Sequence, residues 1–360
     1  MKNSIAKINE FLLKFQRVPL AQKIFFTKNL QVMIKAGLSL SQALSALGKQ
    51  STNLKLKKII EETYQGVDKG EPLSQSLEKY PKVFPEVFTS MIKAAETSGN
   101  LEGILKQLVI QMKKDYELIS KVKSALTYPT VILIAMVGMG TGMIIFVVPK
   151  ITTIFSEMDA KLPLATRVLI GISGFVNNNG ILSVLILVAI VAGFITFIRH
   201  RKGKYLWHKL LLRIPAIGEI IKKINLARFA RTLNSLITTD IPIVQSFQIT
   251  SRVVGNLIYR EKIVEAGEQL KGGSSITQIL TQSPALFPPI ATQMIQVGEE
   301  SGNLDELLEE LATFYENDVH EIMANLSSII EPVMILILGA GVGAMAVAII
   351  MPMYSLTSQF

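Results

Sequence analysis

The amino-acid sequence predicts an all-α membrane protein with two homologous cytoplasmic domains of six helices each and three transmembrane helices. Three observations carry that prediction. The 360 residues are 49% hydrophobic and only 18% charged, and charge is absent from three windows, 124–149, 168–198 and 332–360. About 20 apolar residues cross a bilayer core, so each window is long enough. Three such windows in one chain make buried core helices of a soluble protein a poor alternative. Strand signals are nearly missing: there is no sustained two-residue alternation, and Asn179-Gly180 opens an apolar run instead of joining two strands. The third observation is an internal repeat.

Set residue n above residue n+203 and the chain matches itself without a gap. Residues 26–44 read FTKNLQVMIKAGLSLSQAL, above FARTLNSLITTDIPIVQSF at 229–247. Gly70, Leu73, Gln75 and Leu77 stand over Gly273, Ile276, Gln278 and Leu280. Phe84-Pro85 meets Phe287-Pro288, and Glu96, Ser98, Gly99, Asn100 and Leu101 meet Glu299, Ser301, Gly302, Asn303 and Leu304. The register runs on into the apolar windows, with Pro129 over Pro332, Gly138 and Gly140 over Gly341 and Gly343, and Pro149 over Pro352. The repeating unit is therefore a helical domain plus the span that follows it. The middle span has no counterpart.

Taken in order, residues 1–17 form a basic amphipathic segment, with Ile5, Ile8, Phe11, Leu12 and Phe15 on one side. It is either a helix on the membrane surface or an ordinary surface arm. No apolar core of a signal peptide follows it, which keeps the first domain in the cytoplasm. That domain, 18–126, is expected to hold helices near 21–36, 39–50, 54–68, 73–79, 86–97 and 101–124. Ile24, Phe25, Leu30, Met33 and Ile34 give the first its helical period. Gly37 and Gly99 suit left-handed helix ends, Ser39 and Ser74 suit N-caps, and Asp305 and Glu306 load the first turn of a helix. Transmembrane helices are expected at 127–149, 181–198 and 331–353, with Pro129 and Pro332 in first turns, where a missing N–H costs little. An extracytoplasmic loop at 150–180, a second cytoplasmic domain at 200–329 and a tail at 354–360 complete the chain.

Basic residues set the orientation, since they gather on the cytoplasmic side of spans. Lys113, Lys114, Lys121 and Lys123 precede the first span, and Arg199, Arg201, Lys202 and Lys204 follow the second. The loop between holds only Lys150, Lys161 and Arg167, against Glu157 and Asp159. Residues 1–127 carry 20 Lys and Arg against 11 Asp and Glu, a net of +9, whereas 200–330 carry 13 against 14, a net of −1. The first domain thus favours anionic lipid or an acidic partner. Nucleic acid is excluded as the expected partner: the basic residues are interspersed with acids, and no nucleic-acid module appears.

No catalytic constellation is visible. Gly48-Lys49 and Gly203-Lys204 lack the Ser or Thr of a phosphate-binding loop. His200, His208 and His320 are scattered, there is no nucleophile elbow, and no cysteine is available for disulfide or metal chemistry. Not an enzyme, and no metal or cofactor, is the expectation. The apolar windows hold no ionisable residue in their interiors, which argues against a transporter. Gly138 and Gly142 in the first span, and Gly339 and Gly343 in the third, are candidate helix-packing positions, either between the two spans or between protomers. Gly37, Glu96, Gly99, Glu299 and Gly302 are the other candidates. The Glu-x-Ser-Gly-Asn-Leu strings that contain four of them are either helix ends with a restart, or an interface, partner contact or cation site.

These motifs carry a resemblance. FTKNLQVMIKAGLSLSQAL, the paired Phe-Pro sites, the two Glu-x-Ser-Gly-Asn-Leu strings, and Tyr128-Pro129 and Glu331-Pro332 entering spans resemble the F-type inner-membrane platform proteins of type II secretion and type IV pilus assembly. The likeness runs from about Val18 to Thr357. One departure is Asp240 in place of Gly37, with Pro242 two residues on, which puts an identical turn in doubt. The resemblance implies a multi-pass bacterial inner-membrane scaffold whose cytoplasmic domains are six-helix bundles and whose N-terminus is cytoplasmic. Its implied partners are a hexameric secretion or pilus-assembly ATPase, pilin or pseudopilin subunits, other inner-membrane assembly proteins, the membrane, and further copies of itself.

Overall fold

The computed structural model describes residues 16–156 and 164–357, all of whose regular structure is helical. The first repeat opens with α1 (Leu20–Lys35), α2 (Leu40–Gln50), α3 (Leu54–Asp68), α4 (Leu73–Glu78) and α5 (Glu86–Ser98), then enters the long α6 (Leu101–Gly142). A π-turn at Met143–Val147 leads to α7 (Val148–Ser156), α8 (Leu164–Asn178) and α9 (Gly180–Arg199). α10 (Arg201–Arg213) connects to the second repeat, α11 (Ile217–Ile237), α12 (Ile243–Val253), α13 (Leu257–Lys271), α14 (Ile276–Leu280), α15 (Pro289–Ser301) and α16 (Leu304–Thr357). α2, α3 and α5 recur 203 residues on as α12, α13 and α15, residue for residue at both ends. Contacts divide the chain into two compact units, one of Met1–Ser120 with His208–His320, the other of Lys121–Trp207 with Glu321–Phe360.

In the first unit each repeat closes around a repeated aromatic nucleus. Phe26 and Phe84 stack at 5.7 Å between ring centroids, and their counterparts Phe229 and Phe287 at 5.5 Å. All four rings are buried. Such tilted and edge-on pairs add about 0.5–1.5 kcal/mol each beyond the apolar area they bury. Leu30, Leu44, Leu73 and Leu77 fill out the first core, and Leu233, Phe247, Ile276 and Leu280 stand at the same register in the second. Ser39 caps α2 in a reciprocal capping box with Gln42, as expected.

The doubtful turn is the same in both repeats. Gly37 is left-handed with φ 85°, and so is Asp240 with φ 58°. The N–H of Leu38 donates to Met33 O at 3.1 Å, as that of Ile241 does to Leu236 O. Aspartate is among the few residues besides glycine that enter this region readily. The 6→1 hydrogen bond, not the glycine, is what the two copies share.

Four expectations need correction. The sixth helix does not stop near 124; α6 runs on to Gly142, and α16 likewise runs to Thr357. Pro129 and Pro332 therefore lie inside helices and not in first turns. Thr130 Oγ1 donates back to Leu126 O at 2.7 Å, beside the proline. The stretch 150–180 is mostly helical, through α7 and α8. Ser74 is not an N-cap: Pro72 holds that position and Ser74 stands in the first turn. Residues 1–15, which include most of the amphipathic segment, as well as 157–163 and 358–360, lie outside the described residues.

Among the described residues three helical stretches are long and apolar enough to cross a membrane: Leu101–Lys150, Gly180–Arg199 and Leu304–Gly343. In the second unit, large apolar side chains such as Ile134, Ile181, Leu187 and Leu336 are open to the surroundings. That is the pattern expected of helices whose solvent is lipid.

Candidate functional site

The recurring Glu-x-Ser-Gly-Asn-Leu strings are built into each bundle by one device. Glu96 lies near the end of α5, and its carboxylate turns to the start of the short α4. It accepts from the Leu73 N–H, the Ser74 N–H at 3.3 Å and the Ser74 hydroxyl at 2.5 Å. Glu299, 203 residues on, does the same for α14. It accepts from the Ile276 N–H at 2.5 Å, the Thr277 N–H at 2.8 Å and the Thr277 hydroxyl at 2.5 Å. The first N–H groups of a helix have no intrahelical partner, and an anion there also meets the positive end of the helix dipole. Gly99 (φ 71°) and Gly302 (φ 77°) then end α5 and α15 in the left-handed conformation. The helix-end reading thus accounts for both strings. Among the described residues no group of three or more His, Asp or Glu is placed to hold a metal ion.

The four membrane glycines are placed differently. A Cβ added at Gly138, Gly142, Gly339 or Gly343 would meet nothing within 4 Å.

What the fold does bring together is the pair of repeats. α5 of the first repeat contacts α11 and α12 of the second, and Leu236, Ile241 and Ile249 complete the first repeat's core. Gln107 Nε2 lies 3.4 Å from Ser235 Oγ, and Gln111 Nε2 3.5 Å from Thr232 Oγ1. Lys114 pairs with Glu316 at 3.4 Å and Arg252 with Glu86 at 2.5 Å. Beneath, Arg231 is gripped by carboxylates of α16: its Nε and Nη2 donate to Glu316 at 2.8 and 3.0 Å, and its Nη1 to Glu309. Burial alone works to lower the guanidinium pKa, but the two carboxylates reverse that and hold it above its ordinary value.

A cleft of about 320 Å³ opens along this junction, with walls that include Phe84, Phe88, Met112 and Ile249. Five polar side chains line it as well: Lys23, Glu86, Gln111, Asp115 and Arg252. Lys23 donates to Val83 O at 3.1 Å, and burial lowers its pKa against the opposing pull of Asp115. Burial pushes the Asp115 carboxyl up, an effect that Arg228, Arg231 and Lys23 oppose and Glu316 reinforces. The buried Oε1 of Gln111 has no protein partner. None of these was singled out from sequence. The signal was present only as Asp115 recurring at Asp318, both acids in long helices, and helix surfaces carry many acids. The cleft holds no nucleophile–base pair; its chemistry is that of a polar seam between two apolar bundles.

Comparison with known proteins gives the same division of the chain. The family model described as type II secretion system (T2SS), protein F, matches twice, at residues 26–149 and 229–352, which restates the offset of 203. The type IV pilus assembly protein PilC of Thermus thermophilus is 34% identical over 331 residues, covering 92% of this chain and 81% of the relative. The type II secretion system protein F of Pseudomonas aeruginosa is 32% identical over 330 residues, with 92% and 81% covered. That of Aeromonas hydrophila is 31% identical over 354 residues, with 98% and 90% covered.

Proposed function

The chain belongs to the type II secretion system protein F family, and from that membership we propose that it is the inner-membrane platform of a type IV pilus or type II secretion machine, without enzymatic activity of its own. The observation that carries this is the double match at one offset, in relatives named for both kinds of machine. In this reading the first unit's two bundles lie in the cytoplasm, 150–180 outside the membrane, and the N-terminus inside. The lysines before the first span and the basic run after the second support that orientation. The partners are a hexameric ATPase, pilin or pseudopilin subunits, other inner-membrane assembly proteins, and further copies of the chain. The chain has no phosphate-binding loop, so work from ATP hydrolysis enters through protein contacts. Association of the cognate motor with the full chain in lipid nanodiscs tests the reading. Saturable binding that weakens with salt is expected, because the first domain is basic. A folded hexameric motor that binds empty discs equally well would count against it.

A further inference from the structure

The contact between the two repeats is heterologous, and so leaves two unmatched faces. The first repeat uses a closing face, from α5 and α6, and the second an opening face, from α11 and α12. The opening face of the first repeat, on α1 and α2, and the closing face of the second, on α15 and α16, have no such partner among the described residues. Equivalent positions measure what the contact covers. Ser235 is 0% exposed where its counterpart Val32 is 50%. Ile241 is 7% exposed against 39% for Leu38. On the closing side, Gln111 is 5% exposed and Phe314 40%. Val87 is likewise buried and its counterpart Ile290 exposed.

The residues left open are suited to each other. Where the internal contact sets Gln111 against Thr232, the free faces offer Phe314 and Asn29; where it sets Gln107 against Ser235, they offer Glu310 and Val32. Glu310 would then stand between Lys28 and Lys35, one turn to either side of Val32. The net charges of the two halves, +9 and −1, agree in sign with such a contact. Exposed apolar side chains rimmed by charge are what an interface between copies presents.

We propose that the closing face of the second repeat, Ile290 and Phe314 with Glu310, docks on the opening face of the first repeat, Val32 and Leu38 with Lys28 and Lys35, of a second copy of this chain. The proposal rests on the self-association named above and specifies its surface. A heterologous contact of this kind propagates until it closes into a ring.

The chain has no cysteine, so thiol cross-linking reads the contact without background. Full-length chains carrying Val32→Cys and Glu310→Cys are given different tags, reconstituted together in bilayers and oxidised. A Gln107→Cys, Ser235→Cys double variant, the equivalent pair within one chain, is the control. A disulfide-linked dimer carrying both tags is expected, with little dimer from either single variant alone. Phe314→Glu, on an exposed side chain, should abolish that dimer while leaving the control bridge intact. Two results overturn the proposal. One is a fully bridged control with no mixed dimer, in protein that native mass measurement shows to be oligomeric: self-association would stand and this surface fall. The other is a protein monomeric throughout, which would remove both.

Discussion

Glu96 and Glu299 each clamp the head of a short helix in their own repeat. Each carboxylate accepts two backbone N–H groups and a hydroxyl at the head of a short helix. Glu96→Ala would leave those donors without their acceptor and cost about 1–3 kcal/mol. In the full chain this is read as faster amide exchange at 73–76, with Glu96→Gln intermediate; unchanged exchange would mean the carboxylate contributes nothing. Asp115 carries a prediction of opposite sign. Its folded-state pKa is raised, chiefly by burial, so the protonated form is the one the fold prefers. Below the ordinary carboxylate pKa of about 3.9 the aspartic acid and an asparagine should stabilise alike. As pH rises from there through the folded pKa the wild type loses stability, and at neutral pH Asp115→Asn should unfold at the higher temperature. A wild type that is the more stable at neutral pH would mean that the nearby arginines outweigh burial. The left-handed Gly99 and Gly302 were legible in the sequence because the repeat printed them twice. Asp115, Lys23 and Gln111 were not, since their environment exists only once the two repeats meet.

At the scale of elements, the helical period and the offset of 203 located nearly all the helices of the first unit, because amphipathic faces and turn glycines are local signals. The ends of α6 and α16 were read wrongly for an identifiable reason. Loss of charge along the chain marks a change of solvent, and a helix that passes from water into lipid has every reason to continue, since lipid offers no partner to a broken backbone. α7 and α8 were missed because the stretch was judged by its place between spans and not by its own apolar pattern. α11 and α16 are joined by the Arg231 network, with a guanidinium that is almost fully buried and two carboxylates. Removing Arg231 deprives the largely buried Glu316 of its bidentate partner and leaves it Lys114, while Glu309 is half exposed. Arg231→Ala should therefore cost about 1–3 kcal/mol. Thermal unfolding of the detergent-solubilised chain checks this, and a loss below 1 kcal/mol would show the network to be solvated.

At the scale of the whole molecule, two copies of one unit were readable from sequence, and so was the family they belong to. How the copies face each other was not, because a heterologous contact uses different faces of similar sequences and no periodicity marks them. In the proposed platform the seam between repeats lies inside the part that would receive force from the motor. The central claim is that the chain couples a motor it does not itself contain. The most direct measurement is the ATPase rate of the cognate hexameric motor with and without the full-length chain in lipid nanodiscs. The account predicts binding accompanied by a changed rate, with the change lost when the basic surface of the first domain is reversed in charge. A rate indifferent to the chain at every stoichiometry, with the motor folded and hexameric, would contradict it.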